Sequence, residues 1–354
     1  MNLRVIYILI ASVMILVSCN DKLTPPVTTG ANPNLGGDTL YVQLNPAWEG
    51  FDQPQDVMVG REPFIYVADT ENDRIVMMNL DGGILGTRSI KRPIALAQDY
   101  KLNLLVCAQF DTTVNGVTQN FSALYKIDLF SAGHNIETAP IKMLLPQASD
   151  LNKPDRMYTG VAVFYDNSFL VARTGPNNSN LVDPDNSILN FRPIGNTGRD
   201  SLIGRVPLLQ PTSTGILSVN KVSSLTSFNR SNYDFVLTMT GDNSFKTQWL
   251  EYVRSTDFTG YQMKLGANES FLMTPGLFAS PQGATIDNSG NIYVIETDSS
   301  RIYRFNSNGD LTIGFGDSTI FKQPYGVAHF DRILYVADTG NNRILRFILS
   351  TDLN

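Results

Sequence analysis

"YVADTGNNRILRF" occupies positions 335–347, and "YVADTENDRIVMM" occupies 66–78. Two such similar phrases at opposite ends of 354 residues point to an internal repeat, which has to be traced before anything else is assigned. Extended outward, they become "PYGVAHFDRILYVADTGNNRILRF" from Pro324 and "PQDVMVGREPFIYVADTENDRIVMM" from Pro54. A third copy, "PQGATIDNSGNIYVIETDSSRIYRF", starts at Pro281. Each copy runs from a proline through a short apolar strand and a turn into a second strand that ends in an acid. A polar loop follows, and then a third strand opening with Arg-Ile. Proline and acid are 15 residues apart in two copies (Pro54 to Asp69, Pro281 to Glu296) and 14 in the third (Pro324 to Asp338). The arginine follows the acid by five residues every time: Arg74, Arg301 and Arg343.

Weaker copies begin at Pro93, at Tyr158 and near Val222, with Ala108 and Arg173 at the offset of 15. Starts at 54, 93, 158, 222, 281 and 324 lie 39 to 65 residues apart, room for one four-stranded sheet each with insertions. Short Val-, Ile-, Tyr- and Leu-rich runs between turn residues make the chain all-β. The pattern "P-x-G-V-A … Y-V-A-D-T-G-N-N-R-I" resembles the NHL repeat. Six units of that kind imply a six-bladed β-propeller of four-stranded blades, spanning 38–354 as a single domain. After "RILRFI" in the last copy only "LSTDLN" remains, too little for a fourth strand. An unpaired outer edge is a liability, so the lone strand-like segment "DTLYVQLN" (38–45) is expected to close the sixth blade. First and last blades are then neighbours, which accounts for the doubled phrase.

The first residues follow another logic. One positive charge, Arg4, precedes an apolar run from Val5 to Val17, which is short for a membrane span and suited to a secretory signal. The run ends in "LVSC" (16–19), which resembles a bacterial lipobox. The resemblance implies a signal peptide over 1–18 and a lipid on Cys19, placing the protein in the cell envelope, anchored to a membrane such as the outer membrane. Residues 19–37, rich in Pro, Gly, Asn and Thr, read as a flexible tether. That leaves Cys107 alone in "LLVCAQF", a buried core residue rather than a reactive thiol. A net charge of −6 without any Lys/Arg cluster argues against nucleic acid as a partner.

In a propeller the acid-offset positions gather on one rim, and the insertions 109–123 and 174–187 emerge beside them. That loop-bearing face is the expected ligand-binding site, with Asp69, Arg173, Asp183, Asp185, Glu296 and Asp338 as its candidates. The acids have a structural reading as well: each can accept backbone N–H groups and pair with the arginine five residues on. Arg173 either pairs with Asp185 or a neighbouring blade, or receives an anionic or sugar ligand. "DPDN" (183–186) offers oxygen ligands without full calcium-loop spacing, so no cofactor is expected, a divalent cation such as calcium being the one alternative.

Catalytic residues are not found. The two histidines, His134 and His329, fall in different blades, and no nucleophile elbow or phosphate-cradling loop is present. Some propellers of similar repeat type are metal-dependent lyases or lactonases, which leaves open an all-oxygen site using Glu296 and Asp338. The sequence therefore points to a module that binds an envelope protein or glycan. The alternative is a divalent-metal-dependent lyase or hydrolase at the channel mouth.

Overall fold

The run "IYVAD" of blade 1 shows how these sequences make a blade. Ile65 and Val67 pack towards blade 6, while Tyr66 and Ala68, one residue out of phase, pack towards blade 2. A strand covered on both faces reads as a continuous apolar run, its period of two dividing residues between two interfaces rather than between core and water. "IYVIE" in blade 5 and "ILYVAD" in blade 6 divide in the same way.

The computed structural model describes residues 40–180, 182–195, 197–264 and 271–353. The expected signal peptide, tether and Cys19 lie outside the described residues. Within them are six antiparallel sheets of four strands each, arranged as a ring. Inner strands run Pro54–Val59, Ala95–Gln98, Met157–Val163, Val222–Ser227, Pro281–Ile286 and Val327–Phe330. Six buried apolar clusters lie between neighbouring blades, one for each pair. The core is thus a ring of interfaces.

The closing strand runs over Tyr41–Trp48, a few residues later than its sequence suggests. It pairs antiparallel with Arg343–Leu349, Tyr41 opposite Leu349 and Trp48 opposite Ile344. Trp48 then packs on Tyr335 at 5.8 Å and carries the Arg346 guanidinium over its ring at 4.5 Å.

Hydroxyl groups fasten the ring. The threonine after the acid in the three best repeats donates to the carbonyl that opens the next blade. These bonds are Thr70 to Pro93, Thr297 to Pro324 and Thr339 to Pro54, each 2.6 Å. Where the repeat has decayed, other hydroxyls do the same work: Thr159 Oγ1 donates to Val222 O and Ser223 Oγ to Pro281 O, while Ser122 Oγ accepts from the Tyr158 N–H. Every blade-to-blade junction has one such bond.

One expected loop is a pair of strands. Residues 109–123 continue strands Asn103–Val114 and Val117–Asp128, paired one-to-one from Phe110/Phe121 to Val114/Val117. Asn115 and Gly116 turn at φ of 52° and 78°, the left-handed pair that Asn-Gly hairpins use. Alternating Thr, Val and Phe on either side favour strand over loop.

Candidate ligand-binding face

The acids that end the second strands are fully engaged. Asp69 is buried; its Oδ1 accepts the Asp52 N–H at 2.7 Å, and its Oδ2 accepts Asn72 Nδ2 at 3.0 Å and Arg74 Nε at 2.7 Å. Asp338 repeats the pattern with the Lys322 N–H, Asn341 Nδ2 and Arg343 Nε, at 2.7, 2.9 and 2.8 Å.

Glu296 departs from the expected pairing with Arg301. Its carboxylate accepts the N–H groups of Ala279, Ser280 and Asp298, while Arg301 Nη2 donates to Gly314 O at 3.3 Å. One extra methylene carries the Glu296 oxygens to the connector before the blade, and its loop, Thr297–Ser300, has no asparagine to support a turn-side pair. Burial pushes the Glu296 carboxyl up, against the pull of those N–H groups.

Arg173 does not stand free. It is buried, with Nη2 on Asp183 at 2.6 Å and on Pro184 O at 2.6 Å, and Nε on Asp185 O at 3.1 Å. Asp185 gives its carboxylate to Arg156 instead, at 2.6 Å. Arg156 also reaches Asp150 at 2.8 Å and Asp183 at 2.7 Å, and Lys153 caps Asp183 at 2.6 Å. Burial alone would raise the Asp183 carboxyl, but hydrogen bonds from Lys153, Arg156 and Arg173 outweigh it and hold it well below the usual range. With three cations around them, the "DPDN" oxygens are spent on holding a loop. Arg156, Lys153 and Asp150 escape sequence reasoning because their connector has no counterpart in the repeat.

A second set of polar groups sits nearer the axis. The residue following each repeat start contributes to one ring: Gln55, Ile94, Thr159, Ser223, Gln282 and Tyr325. In blades 1, 3, 4 and 5 this residue is the extra one of a β-bulge, a device that re-aims a side chain at a sheet's edge. The next position is small in five blades (Ala95, Gly160, Ser224, Gly283 and Gly326) and is Asp56 in blade 1, because inner strands converge there. A Cβ on Gly326 would lie 2.6 Å from Asp56 Cα, and one on Gly283 would collide with the Tyr325 carbonyl.

The ring divides two cavities. Outside it a mouth of about 460 Å3 is walled by Asp155, Met157, Thr174–Pro176, Lys221 and Thr240; inside it the channel holds about 440 Å3. Gln55, Tyr325, Asp155 and Lys221 make no side-chain hydrogen bond or ion pair among the described residues. At its far end the channel is bridged. Arg61 lies 3.3 Å from the Tyr100 ring centre, and both Arg61 Nη1 and Tyr100 OH donate to Asn229 Oδ1, at 3.4 and 2.8 Å.

No protein-family model matches the sequence, and no curated protein matches it. Solved structures do match. A gluconolactonase from Xanthomonas campestris is 13% identical over 88% of this chain and 90% of its own, with a TM-score of 0.57. Regucalcin from Agrobacterium tumefaciens, a calcium-binding protein, is 12% identical over 85% and 88%, at 0.52. An auxiliary nutrient binding protein from Bacteroides thetaiotaomicron is 10% identical over 85% and 70%, at 0.57. These likenesses establish the fold. They are to gluconolactonase-type propellers rather than to NHL-repeat proteins in particular.

Among the described residues the channel wall carries one carboxylate, Asp56. It accepts the Leu96 N–H of blade 2 at 2.7 Å and its own neighbour's, Val57, at 2.9 Å. Burial raises this carboxyl to about 7, against the pull of those two bonds. His329 also lines the channel, stacked on Tyr293 with ring centres 5.4 Å apart, and burial lowers its basicity. His134 lies between the outer strands of blade 2, its Nδ1 3.6 Å from Glu62. Among the described residues no group of three or more His, Cys, Asp or Glu side chains is placed to hold a metal ion.

Proposed function

We propose that the protein is a cell-envelope lipoprotein, held to a membrane through lipid on Cys19, that binds an envelope protein or glycan through its loop-bearing face. The contrast between committed and uncommitted groups carries this reading. The rim acids and Arg173 are consumed by their own loops, while Gln55, Tyr325, Asp155 and Lys221 of the concave mouth have no side-chain partner among the described residues. Concave sites with a few convergent polar groups are the usual seats of ligands. The similar fold of a nutrient binding protein supports the use of such a propeller as a binding device.

A second reading, a divalent-metal-dependent lyase or hydrolase, draws on the fold shared with gluconolactonase and regucalcin. In this chain its one available channel carboxylate is Asp56, since the oxygens of Glu296 and Asp338 are already spent.

The test is a cross-linked pull-down from solubilised envelopes with the full chain, Val182→Glu and Ile84→Glu. Val182, 83% exposed, lies on the loop-bearing face, and Ile84, 57% exposed, on the outer edge of blade 1. A partner lost from Val182→Glu and kept by Ile84→Glu is the expected result. Empty recovery from all three, with calcium-dependent hydrolysis of gluconolactone abolished by a chelator, would replace binding with the enzyme reading.

A further inference from the structure

The mouth ring has two unlike halves. Blades 5, 6 and 1 are consecutive and contribute Gln282, Tyr325 and Gln55, an aromatic side chain bracketed by two carboxamides. Blades 2, 3 and 4 contribute Ile94, Thr159 and Ser223, and both hydroxyls are already donated across blade junctions. The turns beside the Gln282–Tyr325–Gln55 arc, at 297–300, 339–342 and 70–73, have four residues each, whereas the segment joining the second and third strands of blade 3 runs over 175–186. In the first half Gln55 and Tyr325 make no side-chain hydrogen bond among the described residues, and Gln282 makes one, donating to Ser280 Oγ at 3.4 Å.

We infer that the Gln282–Tyr325–Gln55 arc is a subsite for a neutral saccharide terminus. This rests on the binding-module reading and narrows it. A carboxamide presents two donors and an acceptor with two lone pairs, which matches vicinal hydroxyls that each give and take a hydrogen bond. The Tyr325 ring between the two amides offers a flat apolar surface for the C–H face of a pyranose, and Met157, Ile94 and Pro176 line the mouth opposite. Among the described residues the charged groups lining the mouth are Asp155 and Lys221, one of each sign, which gives no net bias towards an ionic ligand. At the far end Arg61 and Tyr100 both donate to Asn229 and span part of the channel. A flat protein epitope would leave the 460 Å3 mouth and the channel behind it unfilled, whereas a chain end fills them.

The experiment is saturation-transfer NMR followed by calorimetry on the full chain, using the methyl glycosides of glucose, galactose, mannose and N-acetylglucosamine. At least one glycoside should bind through its ring protons. Gln55→Ala and Gln282→Ala should each weaken it about five- to tenfold, the loss of one or two neutral hydrogen bonds. Tyr325→Ala should abolish saturation of the C–H face, and Tyr325→Phe should restore it. Binding by none of the four overturns the inference, as does binding that all three alanine variants leave unchanged. Should the envelope pull-down still recover a partner in either case, the binding-module reading survives; an empty pull-down would remove both.

Discussion

Thr339→Val removes the hydroxyl that fastens blade 6 to blade 1 and changes little else. The threonine is 5% exposed, and its Oγ1 lies 2.6 Å from Pro54 O. Losing the donor leaves a buried carbonyl unsatisfied, a cost of about 1–3 kcal/mol, from which the new buried methyl returns up to about 0.8 kcal/mol. A net loss of about 1–2 kcal/mol is expected, read as a lower denaturation midpoint at unchanged m. Thr70→Val, which loses the matching bond to Pro93 between blades 1 and 2, should cost the same within about 0.5 kcal/mol because the local geometry is the same. Native-state hydrogen exchange separates the two variants. Thr339→Val should speed exchange at Gln53, whose N–H is donated to Asn342 Oδ1 across the closing seam, and spare Leu96, whose N–H is donated to Asp56. Thr70→Val should do the reverse. A loss below about 0.5 kcal/mol in both variants would refute the idea that these hydroxyls hold the ring.

Two further outcomes are expected. The raised Asp56 carboxyl stabilises the fold fully below its unfolded value near 3.8, and that contribution is lost as pH rises through about 7. By linkage the change is at most about 4 kcal/mol, and less to the extent that channel water screens the charge. The stability of wild type relative to Asp56→Asn should therefore fall between pH 4 and 7, and parallel curves would show that Asp56 is not perturbed. Arg156→Met strands Asp150, Asp183 and Asp185 around a lost cation that is 3% exposed, so about 3–5 kcal/mol of stability should go, measured by urea unfolding. A neutral result would mean that water readily replaces the guanidinium.

The fold was legible because the best repeats lie in blades 5, 6 and 1, where nothing interrupts the spacing. Even the closing strand followed, from the want of a fourth strand after Phe347. Its limits could not be read, because Tyr41–Trp48 is an edge strand with only one neighbour to set its register. The candidate site was legible as a face and not as a set of groups. Acids at a constant offset drew the eye to Asp69, Glu296 and Asp338, and their constancy reflects turn construction. The residue after each repeat's opening position varies from Gln to Ile to Tyr, so pattern matching passes over it. That variation is what the proposed binding role would require of an otherwise repetitive scaffold. The partners of Arg173 were legible only in outline, because Asp183, Pro184 and Asp185 lie in a loop that belongs to no repeat.

The polarity of the closing strand fixes how the domain is held. Asp338 and Arg343 stand opposite one another on the loop-bearing side, and Arg343–Leu349 runs from there to the other side of the ring. Because Tyr41 is paired with Leu349, the chain enters the propeller on that other side. The chain upstream of Leu40 is therefore joined to the propeller on the side opposite the mouth, so nothing at that junction crowds the face that the loops occupy.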